Sequence, residues 1–337
     1  TGDADVVKHL VRAAALAKQD LLTRLVVEFT GLQGLAGGEF ARKQGEPEPV
    51  WRAIAEQYLP GGFTGRAEEL PRTATGCLLA LLDSLDTLVG CFAAGLEPTG
   101  SADPYGLRRA ARGIIGIGMG VEGHEPAGFD QSELDLEPLI AAALDSYTPR
   151  IKKPFDPTVV AGGIELFLKN RAERLFSELG ADGDANRASL AVYWNRPHTA
   201  WRAARALTGI RRRRPEDFFN VAAGYKRARN ILRQAAKDFG IEEFKPFDAE
   251  KVAQEEERAL AELLAVEGGE VADSVRRGDF PAALETVAGF RRPIDRFFDE
   301  VTVFTDSEPL RDNRLALLNE LVGVFGLVGD LSLIRVE

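Results

Sequence analysis

Apolar residues recur at helical spacing along almost the whole chain. Val7, Leu10, Val11, Ala14 and Ala15 open the pattern, and Leu21, Leu22, Leu25 and Val26 continue it. Neither Pro nor Gly stands between Val6 and Phe29, so one helix is predicted over 6–29. The glycines of 31–38 read as an interruption. Further helices are predicted over 49–58, 75–92, from Asp103, and over 134–147, 159–179, 188–207 (broken near Pro197), 217–239, 249–264, 279–286, 293–301 and 309–327. No convincing period-2 alternation appears, short extended pieces near Leu331–Ile334 apart. The predicted class is all-α, multi-domain and helical.

One segment carries unusually dense local signals. Pro98 and Gly100 break the preceding helix, Asp103 is placed to N-cap the next, and Pro104 would take its first position. Arg108, Arg109 and Arg112 then crowd the first two turns, with Arg108 and Arg112 sharing a face.

The chain has 337 residues, enough for two or three domains. Boundaries are expected at 147–157, which holds three prolines, and at 208–215, which holds four consecutive arginines. No run of 18 apolar residues suggests a membrane span. The first residues, Thr1–Asp5, have no signal-peptide pattern, and the chain does not begin with Met, so a piece of something longer is expected. Cys77 and Cys91 are the only cysteines, and both lie in apolar stretches. They are expected as buried free thiols in a reducing cytoplasm.

Net charge is −10, which alone argues against a polyanion ligand. Its distribution reverses that. From Arg196 to Lys237 there are 12 Lys or Arg against two acids, while Glu242 to Asp273 holds 11 acids against three bases. Such a basic stripe marks a polyanion surface, although a solvated face with internal ion-pair partners is the commoner outcome for a single charge run. Within the stripe, Arg211, Arg212, Arg213 and Arg214 cluster before Pro215, and Lys226, Arg229 and Arg233 align at i, i+3, i+7. Tyr225, Asn230 and Asn313 are nearby groups suited to stacking on or hydrogen bonding with unpaired bases.

Catalytic apparatus is not evident. Gly118, Gly120 and Gly123 match a dinucleotide fingerprint by letters, but they follow a helix rather than a strand and read as a helix end and loop. No Ser sits in a nucleophile elbow and no phosphate-binding loop is present. His9, Asp20 and Asp83 could in principle serve as metal ligands. On one continuous helix, however, His9 and Asp20 would lie about 16 Å apart. A buried polar cluster without metal is the expectation.

Three stretches together resemble the C-terminal half of the beta subunit of bacterial heterotetrameric glycyl–tRNA synthetase. The first runs from Lys18-Gln19-Asp20-Leu21-Leu22-Thr23 through Glu28-Phe29-Thr30-Gly31-Leu32-Gln33-Gly34 to Glu56-Gln57-Tyr58-Leu59-Pro60. The second is Asp83-Ser84-Leu85-Asp86-Thr87-Leu88-Val89-Gly90 leading into Pro98–Arg109. The third is Phe297-Phe298-Asp299-Glu300-Val301 with Leu310–Leu318 and Asp330–Ile334. The family commonly has Asp-Lys-Leu-Asp where this chain has Ser84, and a bulkier helix in place of the glycines at 116–123.

The resemblance implies a degenerate HD-like helical domain at 1–150, a helical connector at 151–210, and a DALR-type anticodon-binding domain at 211–337. It implies binding of tRNA(Gly) for glycylation carried out by an alpha subunit in an alpha2beta2 assembly. That subunit would use ATP and Mg, leaving this fragment with no cofactor and no catalytic residue. It places tRNA contacts at Arg211, Arg212, Arg213, Arg214, Tyr225, Lys226, Arg229, Arg233, Arg311, Asn313 and Arg314. Thr99, Ser101, Asp103, Arg108, Arg109 and Arg112 become tRNA or subunit contacts, and His9, Asp20 and Asp83 a degenerate HD cluster. The implied setting is cytoplasmic, with no membrane partner. The alternatives are an HD-type metal-dependent nucleotide phosphohydrolase and a helical scaffold that does not touch RNA.

Overall fold

The computed structural model describes residues 4–99, 102–152, 154–241 and 243–335. Helices account for the regular structure among them, with one isolated bridge between Thr99 and Ala102. The helices are α1 (Ala4–Leu16), α2 (Arg24–Glu28), α3 (Leu35–Lys43), α4 (Glu48–Glu56), α5 (Ala74–Ala93), α6 (Leu107–Met119), α7 (Leu136–Tyr147) and α8 (Pro157–Glu178). They continue as α9 (Gly183–Tyr193), α10 (Pro197–Arg213), α11 (Pro215–Phe239), α12 (Glu255–Arg276), α13 (Phe280–Gly289), α14 (Arg291–Glu300) and α15 (Glu308–Gly326). The residues 331–334 form a 3-10 turn at Leu331–Leu333, not a strand.

Contacts divide the chain into two compact units. One holds Thr1–Leu175 with Trp194–His198, the other Phe176–Tyr193 with Thr199–Glu337. In the first, α5 is central and packs against α1, α4, α6 and α7. Its Cys77, Ala80, Leu81, Leu85, Leu88 and Val89 are buried. By length and composition α5 could cross a membrane, but 56% of its most apolar stretch is buried in the fold, the signature of a core helix. In the second unit α11 packs on α13, α14 and α15, and α12 packs on the same three helices. Phe218, Phe280, Phe290, Phe297 and Phe325 fill that core at 0–1% exposure.

Three local expectations are corrected. The predicted helix over 6–29 breaks after Leu16. Lys18 adopts φ 65°, and a 3-10 turn at Gln19–Leu22 precedes α2, whose N-terminus is capped by the Thr23 hydroxyl. The break lets Asp20 turn inward, where it is 2% exposed. Secondly, the glycines of 31–38 do not interrupt throughout: Gly37 and Gly38 lie inside α3. A Cβ on Gly38 would stand 2.7 Å from that of Ala55, so glycine here lets α3 approach α4 closely.

Thirdly, the arginine-rich helix begins at Leu107, not Asp103. Pro104 lies in a turn and Gly106, at φ 67°, is the N-cap. Asp103 still satisfies the helix start from outside, its carboxylate accepting from the backbone N–H of Leu107 (2.8 Å) and Arg108 (3.0 Å). The helix ends at Gly120, φ 68°, as the fingerprint glycines implied. Gly116 sits beneath Phe63, where a Cβ would fall 2.6 Å from the ring.

Candidate nucleic-acid interface

The long helix α11 carries most of the candidate surface. Its buried side, Phe218, Val221, Ala222, Tyr225, Ala228 and Ala235, faces the core of the second unit. Opposite lie Lys226, Asn230, Arg233 and Lys237, all exposed and spaced i, i+4, i+7, i+11, which at 100° per residue keeps them within one narrow strip. Lys226, Arg233 and Lys237 form no ion pair with any described residue; Arg233 only accompanies Asn230 through a 3.4 Å hydrogen bond. Arg227 lies beside this strip with its guanidinium over the Phe298 ring, 4.5 Å from the centroid.

Arg229 departs from the expected alignment. It turns toward Asp330 and Ser332, donating to both, and its side chain is one-third exposed. Burial works to raise the Asp330 carboxyl, but the hydrogen bonds from Arg229 and Ser332 outweigh it and hold that carboxyl below its ordinary value.

The four consecutive arginines are neutralised within their own unit. Arg211 stacks over Phe219 and faces Asp184 at 3.7 Å. Arg212 pairs with Asp182 (3.3 Å), Arg213 with Glu285 (3.0 Å), and Arg214 with both Asp217 (2.8 Å) and Glu285 (3.2 Å). Hydrogen bonds from Arg291 and then Arg214 hold Asp217 below the ordinary carboxylate range. For this segment the internal ion-pair outcome prevails over the free stripe.

Three further predicted contacts are corrected by burial. Tyr225 is 3% exposed and offers no ring face to a base. Asn313 is 5% exposed and spent on the backbone of Asp248, accepting from its N–H (2.8 Å) and donating to its carbonyl (3.0 Å). Arg314 is 5% exposed and engaged with Glu257, Gln254 and the Thr302 carbonyl. Arg311 packs on Phe239, 4.6 Å from its centroid, and donates to Asp312. Sequence periodicity alone does not say which charges a neighbouring acid removes. It does reach Lys237, missed as a site residue, through the i+11 spacing from Lys226.

In the first unit, Thr99 and Arg109 are exposed, and Arg108 and Arg112 are half-buried. Arg112 donates to the Phe63 carbonyl, so part of the arginine cluster braces the fold. Ser101 lies outside the described residues. Arg171 on α8 has its pKa lowered by burial, with Arg174 and Arg108 adding like-charge repulsion.

His9, Asp20 and Asp83 do not assemble as ligands. The carboxylate of Asp20 accepts through Oδ2 from the backbone N–H of Gly34 (2.6 Å) and Gly37 (3.3 Å). Asp83 is half-buried and paired with Lys18, and His9 is half-exposed on α1. The expected buried cluster therefore reduces to Asp20. Among the described residues no group of three or more His, Cys, Asp and Glu is placed to hold a metal. Cys77 is buried and Cys91 only half-buried. Desolvation, with Glu56 nearby, pushes the Cys77 thiol up to about 12. A cavity of about 840 Å3 lies between α5 and the segment 125–139; its lining includes Glu125, Asp130, Glu133 and Asp135 but no Lys or Arg, which disfavours an anionic ligand.

The fold and this surface define an all-helical protein with an unpaired basic face on α11 and, among the described residues, no group of three or more His, Cys, Asp and Glu placed to hold a metal. The family model described as "Glycyl-tRNA synthetase beta subunit" matches residues 3–191, and the "DALR anticodon binding domain" model matches residues 221–331. The chain belongs to the glycyl-tRNA synthetase beta subunit family. It is 39% identical over 327 residues to the glycine–tRNA ligase beta subunit of Acidobacterium capsulatum, covering 96% of this chain and 44% of that relative. It is 37% identical to the corresponding subunits of Geobacter sp. (strain M21) and Myxococcus xanthus, covering 97% and 100% of this chain and 44% and 46% of theirs. The chain thus spans less than half the length of these curated relatives.

Proposed function

We propose that this chain is the tRNA-recognising part of a glycine–tRNA ligase beta subunit, and that its second unit holds tRNA(Gly) along the exposed face of α11. The observation that carries the reading is the contrast within the basic stripe. Arg211–Arg214 are matched by acids, while Lys226, Arg233 and Lys237 stand together without one. Unmatched cations on a rigid helix release condensed counterions on meeting phosphates, which gives salt-dependent affinity. The DALR match over 221–331 spans this helix face.

Glycine activation belongs, in this reading, to an alpha subunit that uses ATP and Mg in an alpha2beta2 assembly in the cytoplasm. This fragment contributes no catalytic residue and no cofactor. Its working parts are an HD-like unit at 1–150, a connector at 151–210 and the anticodon-binding unit at 211–337. The test is binding of tRNA(Gly) to the chain at several salt concentrations. Lys226→Ala, Arg233→Ala and Lys237→Ala together should weaken binding and flatten its salt dependence; unchanged binding would remove α11 as the RNA surface. Against the phosphohydrolase alternative stand the backbone N–H groups bound to Asp20 Oδ2 and the pairing of Asp83 with Lys18, although Asp20 Oδ1 is buried without a hydrogen-bond partner.

A further inference from the structure

The cavity of about 840 Å3 between α5 and the segment 125–139 lies wholly within the first unit and takes no part in the RNA-binding reading of α11. Its volume is that of a small-molecule site. Leu78 and Leu82 of α5, with Phe129, Leu134 and Leu139, give it apolar walls. Gln131 also lines it and is 8% exposed. The His124 ring fixes the orientation of that amide. His124 Nε2 donates to the Pro71 carbonyl (2.7 Å), so Nδ1 accepts from Gln131 Nε2 (3.4 Å), which also donates to the His124 carbonyl (3.2 Å). Gln131 Oε1 is left without a hydrogen-bond partner among the described residues, a buried acceptor on the cavity wall. Two carboxylates on the lining are unspent as well. Glu125 and Glu133 are exposed and form no ion pair with a described residue, whereas Asp130 is engaged by Ser132, and Asp135 by Asn195 and Arg196.

We propose that this cavity binds a linear aliphatic diamine or polyamine. The side-chain groups left free, Gln131 Oε1 and the carboxylates of Glu125 and Glu133, only accept hydrogen bonds, and an alkylammonium group only donates them. Two ammonium groups also supply the charge that two unmatched carboxylates lack. A phosphate or a carboxylate ligand would set acceptor against acceptor. A hydrated metal ion would leave the leucine and phenylalanine walls in water, and no group of three or more His, Cys, Asp and Glu among the described residues is placed to hold one. Methylene segments between two ammonium groups cover those walls, and each buried CH2 adds favourable transfer free energy. Charge and apolar length are therefore needed together, which separates this ligand from a simple counterion.

The probes are tetramethylenediamine and octamethylenediamine, titrated into the full chain by isothermal calorimetry at fixed salt. Saturable binding is expected, with the eight-carbon diamine about tenfold tighter than the four-carbon one, because its added methylenes reach the apolar walls. Glu125→Gln together with Glu133→Gln, both at exposed positions, should weaken the eight-carbon diamine by at least about fivefold. Glu262→Gln together with Glu267→Gln on α12 removes the same charge outside the first unit and should change nothing. Equal affinity for the two diamines, no saturable binding at millimolar concentration, an unaltered affinity in the variant at 125 and 133, or an equal loss in the α12 variant overturns the proposal.

Discussion

Arg314 on α15 and Glu257 on α12 form a buried ion pair, their side chains 6% and 1% exposed. The guanidinium Nε reaches Glu257 Oε1 at 2.8 Å, Nη2 also reaches Gln254 Oε1 at 2.8 Å, and Nη1 reaches the Thr302 carbonyl at 2.7 Å. The other carboxylate oxygen of Glu257 accepts from the Ala253 N–H. Such a network has little net worth over a hydrophobic substitute, but half of it is costly. Arg314→Ala leaves a buried carboxylate unmatched and should destabilise the second unit by about 3–5 kcal/mol. Thermal melts of Arg314→Ala and of Glu257→Leu with Arg314→Met check this. The double variant should recover most of the loss, and a single-variant cost under about 1 kcal/mol would refute the network's role.

Acid should loosen the same unit. Asp330 and Asp217 are both held below their ordinary values, the first by Arg229 and Ser332 against burial, the second by Arg291 and Arg214. A depressed carboxyl contributes stability that is present above its unfolded pKa, about 3.9, and is lost as pH falls through the lower folded value. Urea midpoints should hold steady at pH 5–7 and fall below about pH 4. Asp330→Asn should flatten part of that fall.

Cys77 should be inert in the folded chain. With its thiol pushed up to about 12 by burial, roughly one molecule in ten thousand carries a thiolate at pH 8. A disulfide reagent should leave Cys77 untouched under native conditions and titrate two thiols only in denaturant. Rapid native labelling at Cys77 would mean that α5 is not packed as described.

Gly116 is fixed by packing. A Cβ there would meet the Phe63 ring at 2.6 Å, and Phe63 is itself fully buried. Gly116→Ala should therefore cost about 1–3 kcal/mol, although alanine is the better helix former. A stability gain would show that the ring has room to move.

The all-helical class and most helix positions are legible in the sequence because apolar spacing reports burial directly. The extra turn at Lys18 is not, since no Pro or Gly marks it and the break depends on Asp20 finding the backbone of Gly34 and Gly37. The glycines of α3 mislead for a related reason: their role is proximity to α4, a tertiary fact. For the basic stripe, charge counting finds the region but not the free charges. Arg212 and Arg213 meet Asp182 and Glu285, 30 and 72 residues away, and Arg229 meets Asp330, 101 residues away. Burial likewise withdraws Tyr225 and Arg314, whose types suit RNA but whose places serve the core.

The most direct test of the central claim is the salt dependence of tRNA(Gly) binding to the chain, measured for wild type and for Lys226→Ala, Arg233→Ala, Lys237→Ala. Three lost phosphate contacts should weaken binding at low salt and reduce the slope of log affinity against log salt by about 2–3. Identical affinities and slopes for the two proteins would contradict the account.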